Sequence, residues 1–261
     1  MPLIYQELSQ PIKNQMQESV YHDLYKAEDT LWRSVSTRKM LFTFWKKYRF
    51  PSDNYKILEL GPGCGATLKF FSMFGQVFGL DTSKIALKYC NKRGIANVIL
   101  IGEGNNLPIK NDLFDLCIAV DVIEHIKNDS QIIKELHRVC APDGLLLTVI
   151  PAFRFLWSER DLRLGHNKRY IKSEIRLLAE KAGFRIQKLS YINLFYFPLL
   201  WLATKIKKGR VNTDVASANK FFNAILMKLL NIETAALRIV NIPFGCSTIM
   251  VAIKDRYETP R

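Results

Sequence analysis

Three glycines separated by single residues, Gly61, Gly63 and Gly65, lie within the segment KILELGPGCGATLKFF (56–71). An apolar run precedes this glycine loop and a helical pattern follows it. Glycine allows the backbone to approach a ligand closely and to turn sharply into a helix, so this spacing is typical of sites for nucleotide-like ligands. Asp81 follows Gly61 by twenty residues, where an acidic side chain can accept hydrogen bonds from both ribose hydroxyls. These residues predict a nucleoside-binding edge.

Two ligand classes fit such an edge. Gly61-x-Gly63-x-x-Ala66 satisfies the loose dinucleotide pattern, which would suit a nicotinamide dehydrogenase. Glu59 adjoins the loop, however, and its carboxylate would repel a diphosphate. A ligand that carries an ammonium and a sulfonium would not be repelled, so Glu59 favours a positively charged sulfur nucleoside.

A second group of reactive side chains lies in the segment PAFRFLWSERDLRLGHNKRYIKSE (151–174). It contains His166, and histidine is a residue type suited to the removal of a proton from a hydroxyl. Asp161 could orient this histidine, Tyr170 could share the role of base, and Arg169 could contact a phosphate. Alternatively, His166 and Arg169 only fold a lid through hydrogen bonds. We predict a catalytic group that consists of His166, Asp161, Tyr170 and Arg169.

Alternating strand and helix patterns must position both groups. Short, uniformly apolar runs are typical of strands that are buried on both faces of a sheet. Strands are predicted at 56–60, 76–80, 97–101, 114–120 and 145–150, with helices at 17–47, 65–74, 83–93 and 129–140. Asn128 or Asp129 could cap the last of these helices, and APDG (141–144) is predicted as a turn. This order predicts an α/β, Rossmann-like, doubly wound parallel sheet.

The alternation continues to the end of the chain. A helix is predicted at 173–182 with Ser173 as its cap, a strand at 184–191 and a last, antiparallel strand at 247–254. The expected sheet therefore has seven strands, and a helical insertion precedes the last one. We predict a single domain with four segments: a helical N-terminal cover (1–50), a cofactor-binding core (51–191), an apolar and basic helical insertion (192–243), and the last strand with its tail (244–261).

Composition limits the class of protein. The 261 residues are 48% apolar, enough for one substantial core. The five cysteines are odd in number and form no CxxC pair, so we expect free thiols without a disulfide framework or a metal site. The first residues lack the pattern of a signal peptide, which predicts a cytoplasmic protein.

The positive charge of the chain is concentrated in its C-terminal part. The net charge is +2 over residues 1–153 and +12 over residues 154–261. Within the insertion, YINLFYFPLLWLATKIKKGR (191–210) is apolar and then basic, and KFFNAILMKLLNIETAALRIV (220–240) has an apolar helical face. These segments favour contact with an anionic membrane surface, peripheral on its inner face. Alternatively, they cover a sheet edge or form a homodimer.

The motifs ELGPGCG, GEGNNLPIKNDLFDLCIAVDVIEHI (102–126) and RVCAPDGLLL (138–147) together resemble the class I S-adenosylmethionine-dependent methyltransferases, type 11 group. The resemblance covers about residues 55–190 and implies S-adenosyl-L-methionine as the cofactor. It departs from the family at Glu103, where Asp is usual near the adenine amino group. The implied cofactor-binding residues are Trp32, Arg38, Glu59, Gly61, Gly63, Gly65, Asp81, Thr82, Glu103, Gly104, Asn105, Asp121 and Val122.

The resemblance implies transfer of a methyl group, preferably to an oxygen, of a small-molecule or lipid-linked acceptor. Polyprenyl-linked sugars, quinone precursors and natural-product intermediates all suit an apolar and basic entrance. Two alternatives stay open. The basic C-terminal part would allow an RNA methyltransferase, although no RNA-binding module is present and nucleic acid is not the expected partner. The chain could also be a non-catalytic, cofactor-binding partner subunit.

Overall fold

A seven-stranded sheet forms the centre of the molecule, which a computed structural model describes over residues 18–100, 106–206 and 220–256. The strand order is β3-β2-β1-β4-β5-β7-β6. The first five strands pair in parallel, and β7 runs antiparallel to both β5 and β6. The strands are β1 (Tyr55–Leu60), β2 (Gly75–Asp81), β3 (Val98–Leu100), β4 (Phe114–Val120), β5 (Cys140–Pro151), β6 (Phe184–Ile192) and β7 (Ser247–Lys254). The predicted seven-stranded Rossmann-like fold is confirmed.

Helices cover both faces of the sheet and the edge where the parallel strands end. Among the described residues they are α1 (Glu18–Ala27), α2 (Trp32–Tyr48), α3 (Ala66–Phe71), α4 (Lys84–Lys92), α5 (Asp129–Val139), α6 (Glu159–Leu164), α7 (Lys172–Lys181), α8 (Phe197–Ile206) and α9 (Lys220–Leu237). Short 3₁₀ turns at Ile123–His125 and Arg154–Leu156 follow β4 and β5. Because β1, β2, β4 and β5 are parallel, the loops after them meet at one edge of the sheet.

Alternate residues of each strand enter two separate cores. Leu58 and Cys117 pack with α5 and α7 on one face, and their neighbours Ile57 and Leu116 pack with α2 on the other. All four side chains are completely buried. This burial on both faces explains why the strands are uniformly apolar in the sequence.

Three local predictions were wrong. The helix predicted over 17–47 is interrupted between α1 and α2, where the Asn223 side chain of α9 accepts from the Trp32 amide and donates to the Thr30 carbonyl. The predicted turn at 141–144 belongs to β5, whose register with β4 shifts at this point. Ser173 lies inside α7, and the carboxylate of Glu174 accepts from the amide that precedes the helix. Asn128, as predicted, caps α5.

The insertion before the last strand contains α8 and α9, and the two antiparallel strands β6 and β7 flank it in sequence. Helix α9 packs along α2, with Leu226 and Leu230 against Trp32. No helix in the described part of the chain is long and apolar enough to cross a bilayer. The bounds of the four predicted segments stay a prediction.

Candidate active site

The glycine loop follows β1 and lies directly against the end of β4. Gly61 has a φ of +63°, and a Cβ atom there would lie 1.9 Å from Val122 Cγ2. Gly65 has a φ of +81°, and its Cβ would lie 2.9 Å from Cys90 Sγ. Both positions therefore need glycine for space as well as for conformation. The structure brings the predicted residues Gly61, Gly63, Gly65 and Val122 together at this edge.

Asp81 ends β2 beside the same loop. Its carboxylate accepts from the amides of Gly63 and Ser83, at 3.3 Å and 2.9 Å, and the backbone of Thr82 also bonds to it. Burial raises the pKa of Asp81 to about 6, although these amides favour its ionised form. The carboxylate is 8% exposed, and Tyr21 of α1 lies beside it. Asp81 is therefore placed where the sequence predicted an acceptor for ribose hydroxyls.

Two further carboxyl groups lie around the loop. Glu59, in β1, is 3% exposed, and burial raises its pKa well above the usual range. Glu28 was not predicted from the sequence. It precedes α2 and accepts hydrogen bonds from the backbone of Ala66 and Cys64. Burial raises the pKa of Glu28 to about 7, against the effect of Arg93. A cationic group of a ligand would stabilise the ionised forms of both carboxyls.

The remaining predicted cofactor residues have different surroundings. Arg38 is half-buried within electrostatic range of Asp29, Glu28 and Glu59, and burial lowers its pKa. Trp32, which the resemblance places among the cofactor-binding residues, packs with Leu226, Leu230 and Tyr196 instead of with the glycine loop. Glu103, Gly104 and Asn105 lie outside the described residues.

The segment after β5 forms a buried ionic cluster. His166 Nδ1 lies 2.8 Å from Asp161 Oδ1, and Arg169 donates to both oxygens of the same carboxylate. Although burial acts in the opposite direction, the hydrogen bonds from His166 and Arg169 hold the pKa of Asp161 below its usual range. The predicted orientation of His166 by Asp161 is present in the structure. Arg169 is 6% exposed and pairs with Asp161, an arrangement suited to positioning His166, and its catalytic role stays a prediction.

His166 also faces the 3₁₀ turn after β4. Its Nε2 lies 3.7 Å from Glu124 Oε1, and its ring meets that of His125 edge-on with centroids 4.8 Å apart. Burial, and then the charge of Asp121, raise the pKa of Glu124 well above its usual range. Burial and His166 lower the pKa of His125, against the carbonyls of Gly165 and Asp121. The sequence analysis assigned neither Glu124 nor His125 a place in the site.

Asp121 links this cluster to the N-terminal helices. It ends β4 with a φ of +50°, a conformation that is strained for aspartate. Its Oδ2 accepts from Arg33 at 2.7 Å, while its buried Oδ1 has no hydrogen-bond partner in the described part of the chain. Burial, together with the neighbouring Arg33, lowers the pKa of Arg160 to about 10. The two guanidinium groups make this side of the site suitable for an anionic acceptor.

Tyr170, the fourth predicted catalytic residue, is fully buried. Its hydroxyl donates to Asp129 Oδ2 at 2.9 Å, and burial with the charge of Asp129 raises the pKa of the phenol far above its usual range. A group that is this buried and this weakly acidic cannot share the role of base. Tyr170 instead connects the segment after β5 to α5.

Known proteins resemble this chain in sequence over part of its length. Residues 58–148 match the model of a family described as a methyltransferase domain. A probable S-adenosylmethionine-dependent methyltransferase of Mycolicibacterium smegmatis is 29% identical over 49% of this chain and 50% of its own length. An uncharacterised protein of Methanocaldococcus jannaschii is 30% identical over 52% of this chain and 64% of its own. The chain thus matches less than two thirds of the length of these relatives.

Solved structures resemble the fold at low sequence identity. The YcgJ protein of Bacillus subtilis superposes with a TM-score of 0.55 at 20% identity, covering 84% of this chain and 99% of its own. Phosphoethanolamine N-methyltransferase 2 of Haemonchus contortus, in complex with S-adenosyl-L-methionine, gives 0.53 at 18% identity over 82% and 52% of the two chains. The match of residues 58–148 to a methyltransferase domain confirms the predicted resemblance to S-adenosylmethionine-dependent methyltransferases over that part of the chain.

Proposed function

We propose that this chain moves a methyl group from S-adenosylmethionine to a hydroxyl oxygen of a small-molecule or lipid-linked acceptor. The main support for the proposal is the close approach of Gly61 to Val122. It places the predicted nucleoside-binding edge beside the turn after β4, which faces the buried ionic cluster. Methyl transfer from a sulfonium needs such an arrangement, in which the acceptor is positioned beside the cofactor and its proton is removed.

The residues around the glycine loop fit this cofactor. Asp81 would accept from the ribose hydroxyls, and the buried carboxyl of Glu59, whose Oε2 lacks a partner in the described structure, would gain from the ligand's positive charge. Glu28 lies over Gly63, where it would meet the methionine portion. When bound, S-adenosylmethionine supplies an electrophilic methyl group on a positively charged sulfur.

On the acceptor side, His166 is the group suited to take the proton. Asp161 accepts from Nδ1, which leaves Nε2 to accept from an acceptor hydroxyl, and the Asp161 carboxylate would stabilise the resulting imidazolium. The guanidinium groups of Arg33 and Arg160 would favour an acceptor that carries phosphate or carboxylate.

An apolar acceptor also suits the surroundings. Helix α8 lies beside the segment after β5, which carries the buried ionic cluster. Its Leu200 packs with Leu156 of that segment and with Cys246. Three side chains that neighbour Leu200 on α8 are exposed. They are Leu199, Trp201 and Leu202, at 50%, 44% and 51%. A lipid-linked acceptor could therefore reach the site along α8 while the protein rests on an anionic membrane. The basic residues Lys207, Lys208 and Arg210 that support this proposal lie outside the described residues.

The experiment is cofactor binding followed by methyl transfer. Calorimetric titration should show binding of S-adenosylmethionine and S-adenosylhomocysteine, with no heat from a nicotinamide dinucleotide. Transfer of labelled methyl is then compared for a lipid extract and for total RNA, since a tRNA methyltransferase of Arabidopsis thaliana is also among the relatives, at 30% identity over 37% of this chain and 22% of its own length. Methyl label found only in RNA would contradict the proposed acceptor. The absence of binding heat with both S-adenosylmethionine and S-adenosylhomocysteine would contradict the proposed cofactor.

A further inference from the structure

Three side chains next to the proposed acceptor position converge in the pattern of a metal centre. Glu124, His125 and His166 each offer one ligand atom, and these atoms all lie within 4.8 Å of one another. The distance between His166 Nε2 and Glu124 Oε1 is 3.7 Å. Ligand atoms bound to one ion at about 2.1 Å lie at most about 4.2 Å apart. The cluster therefore needs only small side-chain rotations to enclose an ion.

Both imidazoles are held by hydrogen bonds of the kind that metal-binding histidines make. Asp161 Oδ1 lies 2.8 Å from His166 Nδ1, and the Gly165 carbonyl lies 3.2 Å from His125 Nδ1. A carboxylate or carbonyl acceptor at one ring nitrogen places hydrogen there and leaves the other nitrogen as a lone-pair donor. For His166, that second nitrogen is the one that faces Glu124.

The backbone also fixes the relative position of the ligands. The Asn167 amide donates to the Glu124 carbonyl, and the Asn167 side chain donates to the His125 carbonyl, both at 2.7 Å. Residues on either side of His166 therefore hold the 3₁₀ turn that carries the other two ligands. Such rigid support from neighbouring hydrogen bonds is what a metal site needs.

The Glu124 carboxyl group supplies a separate observation. The residue is 0% exposed, and neither oxygen has a hydrogen-bond partner among the described residues. Burying a carboxyl without any partner is costly, and a bound cation would satisfy it. Asp121 Oδ1 is also buried without a partner in the described structure, and the charge of Asp121 acts on Glu124, so a cation here would offset two carboxyl groups.

The geometry points to a divalent cation site formed by Glu124, His125 and His166, with Asp121 at its border. Two imidazoles and one carboxylate suit first-row divalent ions, for which paramagnetic Mn²⁺ is a convenient probe, and an incomplete ligand set leaves positions open for an oxygen atom of the acceptor. No metal was predicted from the sequence, because the cysteines form no CxxC pair and the three ligands come from two separate segments of the chain.

For the reaction this inference rests on the proposed methyl transfer and changes one part of it, which is the role of His166 as the base. A hydroxyl bound to the ion would lose its proton to solvent more readily. His166 would then hold the ion and would not accept the proton. The acceptor would accordingly be an oxygen nucleophile that can reach an ion, such as a sugar or phenol hydroxyl.

The test measures Mn²⁺ binding directly, without cofactor or acceptor. Purified full-length chain is treated with EDTA, dialysed and titrated with Mn²⁺ while electron paramagnetic resonance reports the free ion. We expect one bound ion per chain, and affinity at least about tenfold weaker in Glu124→Gln and in His166→Gln. Mn²⁺ should raise the melting temperature of the wild type but not of Glu124→Gln.

His22→Gln provides the matched control, because His22 is exposed on α1. Circular dichroism and S-adenosylhomocysteine binding show whether each variant is folded. The inference is overturned if the wild type binds no Mn²⁺, or if Glu124→Gln and His166→Gln bind it as the wild type does. If the protein binds Mn²⁺ but not S-adenosylhomocysteine, the result contradicts the proposed function and supports the cation site.

Discussion

Gly61 and Val122 are so close that a single methyl group on Gly61 would lie 1.9 Å from Val122 Cγ2. This contact joins the turn after β1 to the residue that follows Asp121 at the end of β4. The two halves of the proposed site therefore cannot shift independently. A change at Gly61 should alter the glycine loop and the acceptor side together.

The first prediction concerns this contact. Gly61→Ala should weaken binding of S-adenosylhomocysteine at least about tenfold and lower the free energy of unfolding by about 2–4 kcal/mol, since overpacking adds to the cost of a left-handed conformation. Gly94→Ala is the control, because Gly94 also has a positive φ, +78°, but a Cβ there meets only Lys69 Nζ at 3.9 Å. That change should cost only about 1–2 kcal/mol. Calorimetry and urea unfolding measure both effects, and equal losses in the two variants would show that the Val122 contact is unimportant.

The second prediction concerns the pH dependence of stability. The pKa of Glu28 rises from 4.5 to about 7 on folding, so the native state holds a proton that the unfolded state releases between these values. Its stabilising effect is complete below pH 4.5 and is lost as the pH rises through 7. Glu28→Gln removes this dependence. Relative to the wild type, the variant should gain about 1–3 kcal/mol between pH 5 and pH 8.

Urea unfolding at each pH unit measures this difference. Asp29→Asn is the matched control, because Asp29 also pairs with Arg93 but its side chain is 58% exposed. Parallel curves for Glu28→Gln and the wild type would contradict the assignment of this proton to Glu28.

The sheet could be predicted from the sequence because its signals are local. Each central strand is a short apolar run with a turn on either side. Because the strand is buried on both faces, its apolar run is continuous and easily recognised in the sequence. The glycine loop and Asp81 were found for the same reason, since their spacing along the chain is fixed by one strand and one helix. Within the sheet the error fell at an end, since the turn predicted at 141–144 belongs to the start of β5.

Residues whose roles depend on distant parts of the chain could not be predicted. The break between α1 and α2 depends on Asn223, which lies 193 residues beyond Thr30. Glu28 lies in that break, where its carboxyl group bonds to the backbone of Cys64 and Ala66 in the glycine loop. Similarly, Glu124 and His166 meet because the loops after β4 and β5 lie at the same edge of the sheet. The spacing of apolar residues along the chain does not indicate how close two such loops come.

The third prediction concerns the buried pair of Arg169 and Asp161. Arg169→Leu would leave the Asp161 carboxylate in the core without its guanidinium partner, so unfolding should cost about 3–5 kcal/mol less. Arg185→Leu provides the control, because Arg185 makes a similar two-pronged pair with Asp255 at the surface. Its loss should change stability by about 1 kcal/mol or less. If the two variants lose the same stability, the burial of the Arg169 pair has no energetic consequence.

The last prediction tests the proposed membrane contact of α8. Trp201 and Leu202 are about half exposed, and aromatic and aliphatic side chains of this kind insert at the boundary between head groups and acyl chains. The wild type should co-sediment with vesicles that contain phosphatidylglycerol, and the double variant Trp201→Ser, Leu202→Ser should lose at least about half of this binding. The control is Leu162→Ser with Leu177→Ser, since these leucines are 66% and 53% exposed on α6 and α7. An equal loss in both double variants would indicate general hydrophobic adsorption, and unchanged binding in the α8 variant would exclude α8 as the contact. High salt should weaken the wild-type interaction, because the basic residues near α8 contribute through screened charge attraction.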